Sequence, residues 1–117
     1  MKLLIVEDHS DMRKILRSVV QSGEPTPVDF IECDSGEEAI SLFSVHKPDF
    51  VLMDIQLKQM DGFTASEKIF KNSPDAKIIF VTSHNNLSFR NRAEKLHAQG
   101  LVLKDNLSEI NHILHNT

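Results

Sequence analysis

Four places along the chain carry side chains suited to phosphoryl or metal chemistry: Glu7-Asp8, Asp54, Thr82-Ser83 and Lys104. If they meet, three carboxylates converge. Like charges that close raise one another's pKa unless something offsets them. A hard divalent cation is the simplest offset, and Mg²⁺ prefers oxygen ligands while keeping several waters. A metal held by carboxylates beside a nucleophilic aspartate suits phosphoryl transfer to that aspartate. A lysine can stabilise charge on the phosphoryl oxygens, and a hydroxyl can hydrogen-bond one of them. Taken singly, the acids have a plainer reading, because acidic residues in strand-to-helix loops cap helices. Asp8 reads equally well that way. The spacing of all four places together points to a site.

The elements that must position them follow from the apolar pattern. Leu3 to Val6 is a short continuous apolar run, as expected of a strand buried on both faces. Met12, Ile15, Leu16, Val19 and Val20 have helical spacing, with Ser10 or Asp11 as the expected cap, and Pro25 and Pro27 break the pattern. Val28 to Cys33 predicts a strand and Glu37 to Val45 a helix. Phe50 to Met53 predicts a third strand ending in Asp54. Asp61-Gly62 predicts a turn, Thr64 to Phe70 a helix, and Lys77 to Val81 a strand running into Thr82-Ser83. Asn86 to Ala98 predicts a polar helix closed by Gly100 at its C-terminus. Leu101 to Leu103 predicts the last strand, followed by Lys104 and by a helix over Leu107 to Leu114 capped by Asn106. Strands alternating with helices imply an α/β fold with a parallel sheet. Open sheets of this kind bind ligands beyond the carboxyl ends of their strands, where all four places fall.

With 117 residues, the chain reads as one domain, 1–117. It is 40% hydrophobic and 26% charged, an ordinary globular balance. No apolar run approaches the roughly 20 residues needed to span a bilayer, and the N-terminus carries no secretory signal pattern. Cys33 is the only cysteine, so no intrachain disulfide forms and the cytoplasm is the expected compartment. A net charge of −4 argues against direct nucleic-acid binding by this domain. A DNA-binding domain elsewhere in a longer parent chain stays open.

Read in order, Val6-Glu7-Asp8, Leu52-Met53-Asp54-Ile55, Met60-Asp61-Gly62, Val81-Thr82-Ser83 and Leu103-Lys104-Asp105 resemble the signature blocks of bacterial response-regulator receiver domains, the CheY-like superfamily. The resemblance covers nearly the whole chain. It implies a flavodoxin-like (βα)5 doubly wound sandwich with a five-stranded parallel sheet of order 2-1-3-4-5. It also implies a two-component phosphorelay. Asp54 would be the phosphoacceptor, Asp8 a direct Mg²⁺ ligand, Glu7 a ligand through water and the Gln56 backbone carbonyl a further ligand. Thr82 would follow the phosphoryl group, and Lys104 would pair with Asp54 or its phosphoryl oxygens. Gln56 and His84 would flank the site and tune dephosphorylation, although each also reads as an exposed polar residue. The implied partners are a sensor histidine kinase or a histidine phosphotransfer protein. Homodimerisation through the last helices is common in the family.

Three positions depart from the family pattern. Lys58 stands where a proline is usual, Leu101 where an aromatic ring is usual, and Asp105 where a proline usually follows the lysine. The Lys104-Asp105 pair is similar to NarL/LuxR-type regulators, which control transcription. The absence of a ring at Leu101 and of a proline at Lys58 also motivates an alternative, a receiver-like interaction module that signals without phosphorylation. A phosphohydrolase reading is weaker, because such enzymes carry a second acid two residues beyond the nucleophile and here that residue is Gln56. The domain is expected to be a switch rather than an enzyme. The six histidines show no metal-ligand spacing and read as exposed polar residues.

Overall fold

A computed structural model describes residues 1–116. Five strands, β1 (Lys2–Val6), β2 (Asp29–Cys33), β3 (Phe50–Asp54), β4 (Ile78–Thr82) and β5 (Gly100–Leu103), alternate with five helices. The helices are α1 (Ser10–Ser22), α2 (Gly36–His46), α3 (Gly62–Asn72), α4 (Leu87–Lys95) and α5 (Glu109–His115). All strand pairs are parallel, in the order β2-β1-β3-β4-β5. This is the flavodoxin-like arrangement expected from the sequence. β3 and β4 are buried at every residue, whereas the edge strand β2 buries only Cys33. Continuous apolar runs therefore lie where helices cover both faces of the sheet.

Successive strand residues point to opposite faces. Leu4, Val6, Val51, Met53 and Phe80 share one core with Ala39 and Phe43 of α2, Ala65 and Ile69 of α3, and Ala93 of α4. Leu3, Ile5, Leu52, Ile79 and Val81 share the other with Leu16 and Val20 of α1 and with Ile110 and Leu114 of α5. Two cores clamp the sheet and hold its strand ends in register.

Several helix ends differ from expectation. His9, not Ser10 or Asp11, occupies the N-cap of α1, and no side chain caps it. Asp11 lies inside the first turn, where a carboxylate still favours the helix dipole. α3 begins at Gly62, two residues before the expected start, because the Thr64 N–H donates to Asp61 Oδ1 at 2.8 Å. α4 ends at Lys95 rather than Ala98. His97 takes the left-handed conformation (φ 61), and the Ala98 N–H reaches back to the Ala93 carbonyl at 3.1 Å. That is a Schellman closure, so His97 fills the role expected of Gly100. Gly100 is instead the first residue of β5, where a Cβ would stand 2.7 Å from Ile113 Cδ1. α5 begins at Glu109, with Ser108 at its N-cap and Asn106 two residues outside, donating to Glu109 Oε2 at 3.2 Å.

Candidate functional site

The sheet register brings the candidate residues into one row. Val6 pairs with Met53, Asp54 with Val81, and Thr82 with Leu103. Glu7 is therefore level with Asp54, Thr82 lies one residue further along, and Lys104 one residue beyond that, so the four step across the carboxyl edge. Lys104 joins two of them: its Nζ lies 2.8 Å from Glu7 Oε1 and 3.3 Å from Asp54 Oδ2. Its backbone N–H donates to the Thr82 carbonyl at 2.8 Å, which fixes where the side chain starts. Asp54 Oδ1 accepts the Gln56 N–H at 3.2 Å. Glu7 Oε2 accepts the His9 N–H at 3.1 Å, and the His9 ring nitrogen Nδ1 lies 3.1 Å from Glu7 Oε2 and 3.0 Å from Asp8 Oδ1. Thr82 is fully buried, and its Oγ1 accepts the His84 N–H at 3.2 Å.

Gly62 sets the floor of the site. Its N–H donates to the Ile55 carbonyl at 2.8 Å, and a Cβ there would run into the backbone carbonyl of Asp54. The Asp61-Gly62 pair therefore does more than turn the chain. Asp61 caps α3 while Gly62 lets that helix begin against the backbone that presents Asp54.

The charges are unequal in character. Burial works to raise the Glu7 pKa, but the Lys104 ammonium and the His9 N–H outweigh it and hold Glu7 at about 2. Burial and the neighbouring Glu7 charge push Asp54 up to about 6, against the pull of Lys104 and the Gln56 N–H. Burial works to lower the Lys104 pKa, yet the two carboxylates outweigh it and raise it. The site thus holds an ionised Glu7–Lys104 pair beside an aspartate that is mostly ionised at neutrality but takes up its proton near pH 6. A further cation would complete its ionisation.

The donor set fits a hard cation. Glu7 Oε1 and Asp8 Oδ1 are buried oxygens that receive no well-aligned hydrogen bond among the described residues, although Lys104 Nζ and His9 Nδ1 stand close by. Buried carboxylate oxygens left this way are unusual, and oxygen-seeking Mg²⁺ would satisfy them. Among the described residues, the group compact enough to hold an ion is Glu7, Asp8 and His9, with donor atoms within 4.8 Å of one another. Asp54 is tied to this group through the shared Lys104 ammonium.

Lys104 thus touches Asp54, the pairing expected of it, and also Glu7, and Asp8 is linked to them through His9. The recorded tie between Gln56 and the site is its N–H. Thr82 lies in the same row but is engaged by the loop leading to α4. Two features were not anticipated. His9 joins the acids, a contact that spacing among the histidines passes over but that its contiguity with Glu7-Asp8 could have signalled. The Asp54 side chain, at the end of a strand buried at every residue, is only 5% exposed, with Lys104 at Oδ2 and the Gln56 N–H at Oδ1.

Comparison with known proteins agrees with this fold. Residues 3–115 match the response regulator receiver domain family. The chain is 35% identical over 105 residues to an uncharacterised transcriptional regulatory protein of Bacillus subtilis, YhcZ, across 90% of this chain and 49% of that protein. It is 32% identical over 104 residues to the chemotaxis protein CheY of Listeria monocytogenes, across 89% of this chain and 86% of that one. A two-component response regulator of the LuxR family from Aurantimonas superposes with a TM-score of 0.86 at 26% identity, covering 95% of this chain and 79% of that one. The chain spans about half the length of several regulatory proteins it matches. It belongs to the receiver-domain family of two-component response regulators.

Proposed function

We propose that this domain is a phosphorylation switch that accepts a phosphoryl group on Asp54 from the phosphohistidine of a sensor histidine kinase or a histidine phosphotransfer protein. The observation that carries this reading is the Lys104 ammonium between Glu7 and Asp54, at 2.8 and 3.3 Å. It is already placed to meet oxygens bonded to Asp54. An Asp54 carboxylate oxygen attacks phosphorus. The P–N bond to the donor histidine breaks, its electron pair returns to the ring nitrogen, and an acyl phosphate forms. Lys104 then follows the phosphoryl oxygens, and the Thr82 hydroxyl donates a hydrogen bond to one of them. Mg²⁺ held by Asp8, Asp54 and the Gln56 carbonyl, with Glu7 acting through water, would offset charge on these oxygens. Water later attacks phosphorus, the Asp54 O–P bond breaks, and carboxylate and inorganic phosphate are released. The group returns to its starting state, so the domain works as a switch and not as an enzyme with a separate substrate.

The chain's span of about half of its regulatory relatives supports an output domain in the parent chain. We read that output as transcription control through DNA binding outside this domain, in the cytoplasm. Intact-mass measurement after incubation with Mg²⁺ and a small-molecule phosphodonor tests the acceptor. A phosphate adduct on the wild type that is absent from Asp54→Asn supports it, and an adduct on both or on neither rejects it. The 5% exposure of Asp54 favours a second reading, an interaction module that works without phosphorylation. In that case Asp54→Asn leaves output unchanged.

A further inference from the structure

We infer that Phe89 carries the state of the site to α4, and that the Arg92–Glu67 ion pair is the strap its movement releases. This rests on the Asp54 reading above and adds the route by which that site is read out.

α4 is weakly anchored. Its sequence, Leu-Ser-Phe-Arg-Asn-Arg-Ala-Glu-Lys, buries only Ala93. Leu87 stands 73% exposed, and Phe89 is the other α4 side chain packed against the core. An element held by so few apolar contacts is easily displaced.

Phe89 sits at the centre of a short series of contacts that begins at Thr82. The Thr82 hydroxyl has one proton and two lone pairs, and one lone pair accepts the His84 N–H at 3.2 Å. The His84 ring meets Phe89 edge-on, with centroids 6.4 Å apart and planes at 78°. Phe89 meets Phe63 edge-on at 5.5 Å and 69°. The Phe63 ring is covered by the Arg92 guanidinium, whose Cζ is 4.7 Å from its centroid. Arg92 Nη2 in turn bonds Glu67 Oε1 on α3 at 2.9 Å. Edge-on ring pairs and guanidinium stacking are geometry-sensitive, so a shift at one end is felt at the next. On β5, Leu101 is aliphatic and only half-buried against the same core, so it supplies no ring edge of this kind.

Turning the Thr82 hydroxyl toward a phosphoryl group on Asp54 takes its oxygen away from the His84 N–H. The loop then re-forms, and the His84 ring leaves its seat on Phe89. Phe89 shifts against Phe63, the Arg92 stack opens and the strap to Glu67 releases. α4, tied to α3 by that exposed pair, becomes free to move. The contacts form one contiguous series of packed rings and ion pairs, the kind of physical connection along which two sites can be coupled.

Amide spectra of this chain with and without Mg²⁺ and beryllofluoride test the route. In the wild type, shifts are expected beside Asp54 and also at Arg92 and Glu94. Phe89→Leu keeps an apolar side chain, so the shifts beside Asp54 should persist while those at Arg92 and Glu94 disappear. His84→Ala removes an exposed ring without touching the core and should give the same separation. Shifts at Arg92 and Glu94 that stay at wild-type size in both variants overturn the inference, as does a wild type that responds only beside Asp54. No response beside Asp54 in the wild type removes the acceptor reading as well.

Discussion

Lys104 Nζ stands closer to Glu7 than to Asp54, at 2.8 Å against 3.3 Å. Glu7 is 1% exposed, and Lys104 is its nearest cation. The lysine is therefore the counter-ion of a buried glutamate as well as a partner of the acceptor. Removing one member of a buried pair leaves the other charge uncompensated. Lys104→Met is expected to lower stability by about 1–3 kcal/mol in urea unfolding with EDTA present. Adding Glu7→Gln to it should recover part of the loss, because the orphaned charge is then gone. A double variant less stable than Lys104→Met alone contradicts this account.

The raised pKa of Asp54 gives a pH signature in metal-free protein. Its ordinary value is 3.8, and the native value is about 6. The native state holds this proton more tightly than the unfolded chain across that window. Asp54 therefore makes stability fall as pH rises from about 4 to about 6. Glu7 acts oppositely: with its pKa lowered to about 2 from 4.5, it adds stability above pH 4.5 and loses it toward pH 2. Asp54→Asn should track the wild type near pH 4 and exceed it by ~2–3 kcal/mol at pH 7. Chemical denaturation at a series of pH values in EDTA measures the gap. A gap that does not widen between pH 4 and pH 7 contradicts the shift.

Most of the fold was legible because the buried strands are continuous apolar runs. Leu3 to Val6 and Phe50 to Met53 have little polar alternative, and helices on both faces require that pattern. The row of Glu7, Asp54, Thr82 and Lys104 was legible because each follows such a run, so strand ends alone locate them. What stayed hidden depends on backbone torsions and side-chain reach. The end of α4 is set by a left-handed His97, which no glycine announces. The role of Gly62 is close approach to the Asp54 carbonyl, which a turn motif does not reveal. Asp54 is the last residue of a strand buried at every position, and the reach of Lys104 onto its Oδ2 is fixed by nothing in the spacing of residues.

Gly62 and Gly36 offer a matched pair for testing how α3 supports the site. A Cβ at Gly36 would lie 3.1 Å from Ala65 Cβ and 3.2 Å from the Met60 carbonyl, a tight fit. At Gly62 it would fall inside the Asp54 carbonyl group and stand 2.9 Å from Ile55 Cα. Backbone cannot retreat as a side chain can. Gly62→Ala is therefore expected to lose about 3 kcal/mol or more and to shift the Asp54 amide resonance, whereas Gly36→Ala should lose about 1 kcal/mol. Equal losses, or an unmoved Asp54 amide in Gly62→Ala, would mean that α3 does not position the acceptor.

Lys47 provides a stabilising test far from the site. It closes α2 with φ 47 and ψ 60, and its N–H bonds the Phe43 carbonyl at 2.9 Å. A side chain in this left-handed region brings Cβ close to the following carbonyl oxygen, at a cost of roughly 1 kcal/mol. Glycine has no Cβ, so Lys47→Gly relieves that strain, while the added freedom of the unfolded chain returns part of the gain. A net increase of about 0.5 kcal/mol is expected in thermal or urea unfolding. Lys47→Val serves as the opposite control, since a β-branched residue tolerates this conformation least and should destabilise the fold. If the glycine variant proves less stable than the wild type, helix closure at this position does not set the cost, and the Lys47 side chain itself must contribute more than its exposed position suggests.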